Sequence, residues 1–258
     1  MRTNTFRALQ FKKLAKHRSL TKMKFSFRKH NLSGPILTIF TSWSKSNETD
    51  LMRNNTVRNW CLFSPYLYPI LFTNDTGLKR DVRAMGWDSL PIIHAGKGVP
   101  VLKHMYLDAM KKIKSPLYAF VNGNILFTQS LLETLVSVLH SDLYQNGTVL
   151  VVERRTNVLN VKRKTAIDLK NLMNAAVKND SVITFTELDY LITSKTFPWQ
   201  DMPEVVIGRV SFDNLVEESK KRKIAVLGAT KTLLAVQQIT RQVPKTTPRL
   251  KYQSDEDL

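Results

Sequence analysis

The chain has 258 residues, of which 43% are hydrophobic and 9% aromatic, and its formal net charge is +18. This composition supports a substantial buried core and excludes a wholly disordered protein, and the length suits one large α/β domain with tails. The single cysteine, Cys61, excludes an intramolecular disulfide and a metal site built from several thiolates. Its apolar sequence neighbours favour a buried structural thiol over a nucleophile.

The positive charge is concentrated at the amino terminus. Residues 1–30 contain ten Lys or Arg and no acid, which leaves a charge of +8 for the other 228 residues. We therefore predict a basic, disordered tail over residues 1–33, a single domain over 34–238 and a polar, disordered tail over 239–258. The basic tail suits a solvated segment, an organelle address or a nucleic-acid-binding arm, and the sequence leaves these open. No apolar run reaches the ~18 residues of a membrane span.

Along the predicted domain, short apolar runs alternate with segments of helical periodicity. The apolar runs predict strands at residues 35–40, 68–72, 87–93, 118–121, 148–152, 189–192 and 223–227. The periodic segments predict helices at 50–63, 78–85, 101–113, 130–143, 165–178 and 214–221. This alternation predicts a mostly parallel, Rossmann-like sheet flanked by helices on both faces.

Two of these elements can be placed more closely. The third strand contains Pro91, which cannot donate to a neighbouring strand, so we expect it at an edge of the sheet. In the first helix, hydrophobic spacing predicts that Leu51, Val57, Leu62 and Phe63 face the core.

The most informative stretch is Tyr118–Phe127, in which two apolar runs flank Asn122-Gly123-Asn124. This pattern is typical of a buried strand that ends in a sharp corner. In open α/β sheets the ligand crevice lies at the carboxyl ends of the strands. We therefore predict that Asn122 and Asn124 lie at a ligand-binding site.

Other polar clusters follow the remaining predicted strands. Because the ends of parallel strands meet at one edge of the sheet, we expect these clusters to converge on one crevice. They are Thr41/Ser42, Asn74/Asp75, Glu153/Arg154/Arg155 and Arg209/Asp213/Asn214. His94 and His104 are the histidines near this region, and we interpret them as surface or helix-face residues rather than catalytic bases.

Several short motifs, in their order and spacing, resemble nucleotide-sugar-dependent glycosyltransferases of the GT-A kind, particularly their poorly characterised animal members. The resemblance extends from Pro35 to about Gln238. Its motifs are Val57–Trp60, Ile70–Asp75, Gly86–Pro91, Gly98–Leu102, Tyr118–Phe127, Arg154–Val158, Ile207–Asn214 and Gly228–Thr232.

The resemblance implies a GT-A-like fold that binds a nucleotide-sugar and transfers the sugar to a hydroxyl group of a glycan, lipid or protein. It also implies Mn²⁺ or Mg²⁺ as a cofactor, because a divalent cation neutralises the charge that develops on the leaving nucleotide. Asn124 occupies the position at which the relatives carry the metal-binding aspartate, and a neutral amide attracts a cation far less. The expected location is the Golgi or secretory lumen, or the cytoplasm if the chain as given is complete.

The resemblance also suggests roles for other polar residues. Asp213 would serve as the base that activates the acceptor or as an acceptor anchor, or else it caps a helix. The predicted diphosphate ligands are Arg154, Arg155 and Arg209, and the alternative for them is a solvated basic edge. Asp75 would contact the nucleobase or ribose. Where the relatives have a His-Gln pair, this chain has Gln237-Gln238.

Three hypotheses for the function follow. The first is a glycosyltransferase, and the second is a catalytically degenerate member of the fold that acts as a binding or interaction protein. The third is a basic nucleic-acid-associated protein, supported only by the charge of residues 1–30.

Overall fold

The computed structural model describes residues 34–43, 50–96, 98–152, 156–160, 182–183, 189–207, 212–229 and 231–239. At its centre is a seven-stranded sheet in which six strands run in one direction. One strand, β11 (Tyr190–Ser194), is antiparallel to both neighbours. In spatial order the strands are β12 (Ala225–Gly228), β8 (Val149–Val152), β11 (Tyr190–Ser194), β6 (Leu117–Val121), β1 (Leu37–Ser42), β2 (Leu67–Phe72) and β3 (Asp88–Leu90). The predicted mostly parallel sheet is confirmed. The strand predicted at 87–93 lies at its edge as expected, but it ends at Leu90, directly before Pro91.

Helices cover both faces of this sheet, as predicted. They are α1 (Asp50–Cys61), α2 (Thr76–Ala84), α3 (Leu102–Lys112), α4 (Ser130–Leu139), α5 (Asp142–Gln145) and α6 (Phe212–Lys221). Val57 of α1 and Leu131 of α4 belong to one buried apolar cluster, and Met105 of α3 and Leu215 of α6 belong to the other. A 3-10 turn spans Trp199–Asp201. The helix predicted at 165–178 lies outside the described residues.

A second, four-stranded sheet was not predicted. It contains β10 (Val182–Ile183), β9 (Thr156–Asn160), β13 (Ala235–Ile239) and β7 (Ile125–Phe127), in that spatial order. The prediction that the last strand spans residues 223–227 was wrong, because β13 follows it and pairs with β7 and β9. The domain bounds of 34–238 and the tail over 239–258 stay predictions. A short hairpin joins β4 (Ala95–Gly96) to β5 (Val99–Pro100).

The inward face of α1 is partly polar, which corrects the prediction for that helix. Val57 and Phe63 are buried as expected, but Leu51 is only half-buried and Leu62 is 70% exposed. Asn59 faces inward, where its side chain donates to the carbonyl of Phe127 and accepts from the N–H of the same residue. Hydrophobic spacing therefore identified only part of this face, because α1 also packs against the backbone of β7 through hydrogen bonds.

Within the described ranges, no helix combines the length and the apolar character needed to cross a membrane.

Candidate functional site

One edge of the large sheet gathers the predicted polar residues. The six parallel strands end there, and β11 begins there because it runs in the opposite direction. The short connection from α6 to β12 places the first turn of α6 at the same edge, since a helix that leads into a strand starts near that strand's far end. Asp75, Asn122, Asn124 and Asp213 therefore share this edge, which we call the carboxyl edge.

At the centre of the carboxyl edge is the sharp corner between β6 and β7, formed by Asn122, Gly123 and Asn124. A Cβ atom at Gly123 would lie 2.2 Å from Cδ1 of Trp43, so only glycine fits beneath that indole. On the other side, Thr56 of α1 donates its hydroxyl to the Gly123 carbonyl at 2.8 Å. The corner is thus held between the end of β1 and helix α1.

Asn124 is locked to β13 through Gln238. Its Nδ2 donates to the Gln238 carbonyl at 3.2 Å, and the Gln238 N–H donates to the Asn124 carbonyl at 2.9 Å. The Gln238 side chain is fully buried, accepts from Asn55 Nδ2 at 2.9 Å and donates to Thr56 Oγ1 at 3.1 Å. The amide of Asn124 therefore belongs to a buried network that joins the corner, β13 and α1.

Asn122 is hydrogen-bonded to Asp189, an acid that was not predicted to be a site residue. Its N–H donates to the Asp189 carbonyl at 2.9 Å, and its Nδ2 donates to Asp189 Oδ1 at 3.2 Å. Asp189 is only 8% exposed and directly precedes β11. It was predicted only as the first residue of a strand. Its position at the carboxyl edge depends on the reversed direction of β11, which the strand and helix pattern did not reveal.

Asp75 follows β2 at the carboxyl edge, where it is the N-cap residue of α2. Its Oδ1 accepts from the N–H groups of Gly77 at 2.8 Å and Leu78 at 3.0 Å, which caps the first turn of α2. Contact between Asp75 and a nucleobase or ribose remains a prediction.

Asp213 is half-buried in the first turn of α6. An acid in the first turn of a helix interacts favourably with the helix dipole. The order of α6 and β12 in the chain also places Asp213 at the carboxyl edge. Its roles as base or acceptor anchor remain predictions. Arg154, Arg155 and Arg209 lie outside the described residues, so their role toward a diphosphate also stays a prediction.

The described residues of the corner do not fit a carboxylate-bound divalent cation. Mg²⁺ and related hard cations prefer several oxygen ligands that include carboxylates. In the part of the chain that the structure describes, no group of three or more His, Cys, Asp or Glu side chains is arranged to hold a metal ion. The corner offers a single carboxylate, Asp189, which Asn122 already engages, and the amide nitrogen of Asn124 is bonded to Gln238. The described corner therefore gives no basis for a metal-assisted step.

Two buried polar atoms beside the corner have no hydrogen-bond partner among the described residues. They are Thr41 Oγ1 and Trp43 Nε1. They lie 3.4 Å and 2.3 Å from the point where a Cβ of Gly123 would stand, so both atoms are close to the Gly123 backbone. An unsatisfied buried polar group costs about 1–3 kcal/mol, which a bound ligand or water molecule would offset.

The two histidines flank the amino-terminal end of α3. The exposed ring of His94 stacks on that of His104, with centroids 3.8 Å apart, and His104 Nε2 lies 2.9 Å from Glu204 Oε1. The hydrogen bond with His104 is the main cause that lowers the pKa of the Glu204 carboxyl, and desolvation opposes it. His94 is a surface residue and His104 a helix-face residue, which agrees with their interpretation from the sequence.

Cys61 is half-buried at the end of α1, rather than fully buried as predicted. Desolvation raises the pKa of its thiol, although a hydrogen bond involving Trp87 opposes the shift. Its Sγ donates to the Met85 carbonyl at 3.3 Å. A protonated thiol that bonds to a carbonyl supports a structural role.

The fold matches known nucleotide-sugar transferase structures. Glucosyl-3-phosphoglycerate synthase from Mycobacterium tuberculosis, in complex with Mn²⁺ and UDP-glucose, superposes with a TM-score of 0.50 at 10% sequence identity, over 89% of this chain and 78% of that one. The same enzyme in complex with phosphoglyceric acid also gives a TM-score of 0.50, at 11% identity and with the same coverage. A weaker likeness, with a TM-score of 0.44 and 11% identity, links 81% of this chain to 90% of CMP:2-keto-3-deoxy-manno-octonic acid synthetase in complex with CTP.

No protein-family model matches the sequence, and no curated protein matches it either. At these identities the structural likeness establishes a GT-A-like α/β fold, as the sequence analysis predicted. It leaves the ligand and the reaction to be argued from the chain's own residues.

Proposed function

We propose that the protein binds a nucleotide-sugar along its carboxyl edge and transfers the sugar to a hydroxyl group of a glycan, lipid or protein acceptor. The observation that carries the proposal is the convergence of Asp75, the Asn122–Asn124 corner and the first turn of α6 on one edge of a GT-A-like sheet. Ligands of open α/β sheets bind at this edge.

In this proposal the nucleotide lies on the side of β1 and β2, with its diphosphate near the corner. Thr41 Oγ1 and Trp43 Nε1 are neutral donors beside the corner, and hydrogen bonds to phosphate oxygens would satisfy them. Arg154, Arg155 and Arg209 are the proposed countercharges for the diphosphate, because guanidinium groups bind phosphate oxygens in pairs.

Asp213 is the proposed base on the opposite side of the corner. As the acceptor oxygen forms its bond to the anomeric carbon, the bond from that carbon to the diphosphate breaks and Asp213 takes the hydroxyl proton. A divalent cation has no part in this scheme, because the described corner does not supply its ligands.

The test combines product analysis with one matched pair of variants. The chain is incubated with UDP-glucose, UDP-galactose, UDP-N-acetylglucosamine or GDP-mannose and with glycan, lipid and peptide acceptors, and the released nucleotide and the new glycoside are measured by mass spectrometry. We expect Asp213→Asn to lower turnover at least about 100-fold, the usual contribution of a general base. The control is Glu217→Gln on an exposed position of the same helix, which should retain turnover.

A second function has a specific observation in its favour. The side-chain amides of Asn122 and Asn124 form hydrogen bonds within the protein. This is expected of a catalytically degenerate member of the fold, which would bind a nucleotide-sugar without transferring the sugar, or would bind a partner. Nucleotide-sugar binding without release of nucleotide in the wild-type chain, across all donors and acceptors, would support this alternative and refute the enzyme.

A further inference from the structure

We propose that the end of the large sheet opposite the carboxyl edge is a surface that binds anionic phospholipid membranes. We call this end the amino edge. It comprises the last turns of the helices, the loops that lead into the six parallel strands and the loop that follows β11. The inference is independent of the proposed function, because it concerns the other end of the molecule and is tested with lipid vesicles alone.

The amino edge carries an excess of positive charge. Its exposed basic residues are Arg58, Arg83, Lys111, Lys112, Lys114, Lys195, Lys220, Lys221, Arg222 and Lys223. Its exposed acids are Asp81, Asp142 and Asp201. Five of the basic residues form ion pairs with four further acids, which are Asp88, Asp108, Glu217 and Glu218. Subtracting all seven acids from the ten basic residues still leaves a charge of +3.

The basic amino-terminal stretch of the chain joins the domain at the same edge. The N–H groups of Ile36 and Leu37, where β1 begins, donate to the carbonyl of Tyr66 in the loop before β2. Residues 1–30, with ten Lys or Arg and no acid, precede this point in the chain. Interaction with a helix dipole explains a basic residue in a last turn, but it explains neither this stretch nor Lys195, which follows β11. The amino edge is therefore the basic end of the protein.

Aliphatic side chains are exposed among these charges. Leu62 follows α1 and Met85 follows α2, and both are exposed. The two segments are in contact, since Cys61 Sγ donates to the Met85 carbonyl at 3.3 Å. Leu143 of α5 is also exposed at this edge. Binding to a bilayer surface increases with the apolar area that enters the acyl boundary and with attraction to anionic headgroups, and the amino edge offers both.

The same side chains favour a membrane over a nucleic acid. Proteins that bind single strands stack the bases on aromatic rings, but no aromatic side chain is exposed among the residues that the structure describes. Duplex readers place a helix or a strand in a groove, whereas the amino edge presents helix ends and loops. Exposed Leu62 and Met85 add nothing to a contact with phosphates, but they suit the acyl boundary of a bilayer.

Membrane binding at the amino edge would leave the carboxyl edge accessible. Strand β1 has six residues, and a strand rises about 3.3 Å per residue, so the two edges are roughly 17 Å apart. The candidate site would therefore face away from the bilayer, toward dissolved ligands.

Co-sedimentation of the full chain with vesicles tests the proposal. The vesicles contain phosphatidylcholine alone or phosphatidylcholine with about 30% phosphatidylserine, which gives an anionic surface. We expect at least about 10-fold tighter binding to the anionic vesicles, and weaker binding as the salt concentration rises, because salt screens surface charge. Equal binding to both kinds of vesicle, or binding to neither, would overturn the proposal.

A matched pair of double variants locates the charge that binds. Arg58→Gln combined with Lys195→Gln removes two charges from the amino edge and should weaken binding to anionic vesicles about 10-fold. The control, Lys103→Gln combined with Lys231→Gln, removes two charges from the start of α3 and the loop after β12, both at the carboxyl edge, and should leave binding unchanged. Equal effects of the two double variants would overturn the proposal, because residues 1–30 would then bind without the amino edge.

A second matched pair tests the aliphatic contact. Leu62→Ser combined with Met85→Ser should weaken vesicle binding about 10-fold while its dependence on salt stays the same. The control is Ile93→Ser combined with Val99→Ser, which changes two aliphatic residues of comparable exposure outside the amino edge and should have no effect. Unchanged vesicle binding by the first variant would overturn the proposal. A DNA duplex or single-stranded RNA that binds more tightly than anionic vesicles would also overturn it, in favour of a nucleic-acid surface.

Discussion

At the scale of single residues, the corner is defined by close contacts that leave little freedom in side-chain choice. Trp43 occupies the space where a side chain of residue 123 would stand, and Asn124 presents its amide nitrogen to a main-chain carbonyl. Both contacts follow from the meeting of β1, β6 and β13, which lie far apart in the sequence. The residue types at the corner therefore serve the fold as well as any ligand.

The Gly123→Ala variant tests the close contact with Trp43. Its Cβ would lie 2.2 Å from Cδ1 and 2.3 Å from Nε1 of the indole, so the ring must move. We expect the free energy of unfolding to fall by about 1–3 kcal/mol, as for other overpacked sites. Urea denaturation measures this, with Gly228→Ala as the control because nothing lies within 4 Å of a Cβ there. Equal stability of the two variants would show that Trp43 does not rest on Gly123.

Asn124→Asp tests whether the corner can regain a metal site. The new carboxylate would face the Gln238 carbonyl, so an acceptor would meet an acceptor in place of the present hydrogen bond. We expect a loss of about 1–3 kcal/mol in unfolding free energy, and we expect Mn²⁺ not to restore it. The control is Asn124→Ala, which removes the hydrogen bond without adding charge. Recovery of stability in Mn²⁺ by the Asp variant alone would contradict our description of the corner.

The residues that the sequence analysis selected at this site show what local pattern can and cannot detect. Asn122 and Asn124 were found because an apolar run ends at them. Asp189 was missed because only the reversed direction of β11 brings it to the carboxyl edge. Gln238 was considered only as part of an altered motif. Its contact with Asn124 spans 114 positions, so no periodic pattern in the sequence indicates it.

At the scale of elements, α1 shows how a helix can be correctly predicted while its inward face is not. Its buried positions include Asn55, Thr56 and Asn59, which satisfy backbone and side-chain groups of the corner, β7 and β13. A hydrophobic count cannot identify such a face, because the reason for burial is hydrogen bonding to chain that arrives much later in the sequence.

Asn59→Leu tests this explanation with a side chain of similar size. It would leave the N–H and the carbonyl of Phe127 without their partner in the core. We expect a loss of at least about 2 kcal/mol in unfolding free energy, measured by urea denaturation. Leu62→Ala, in the turn that directly follows this helix, should change it by less than about 0.5 kcal/mol, because Leu62 is 70% exposed. A larger loss of unfolding free energy in Leu62→Ala than in Asn59→Leu would contradict this explanation and support the hydrophobic inward face predicted from the sequence.

The edge strand β3 carries a pH-dependent contact with α3. Burial raises the pKa of Asp88, but hydrogen bonds from Lys112, the Ser89 N–H and Tyr68, together with the charge of Lys112, outweigh burial and lower it. The Lys112 Nζ lies 3.0 Å from Asp88 Oδ2. Because the folded pKa is depressed, this stabilisation is present above the unfolded value of about 3.9 and is lost as pH falls through the folded value.

We therefore expect the unfolding free energy of the wild type to exceed that of Asp88→Asn at pH 7, and the difference to shrink below about pH 4. Thermal or urea unfolding between pH 7 and pH 3 measures it, and Lys112→Met should show the same reduction in acid dependence. A difference that stays constant over this range would mean that the Asp88 carboxylate contributes nothing through its ionisation.

At the scale of the whole molecule, alternating strands and helices were sufficient to predict the mostly parallel sheet and its two helical layers. The second sheet was not predicted because its strands join only through pairing between distant parts of the chain. The carboxyl edge nevertheless lies where the parallel arrangement requires, and Asp75, Asn122, Asn124 and Asp213 share it. The structural likeness supports the GT-A-like fold, and a nucleotide-sugar site at this edge is our proposal.

The most direct test is calorimetric titration of nucleotide-sugars into the full chain, once with Mn²⁺ and once with EDTA. The central claim is that the corner binds its donor through hydrogen bonds and positive charges of the protein. We therefore predict binding of at least one nucleotide-sugar with the same Kd in both conditions, and at least about 10-fold weaker binding when Arg154 and Arg155 are both changed to Ala. Binding that occurs only with Mn²⁺, or no binding of any nucleotide-sugar, would contradict the claim.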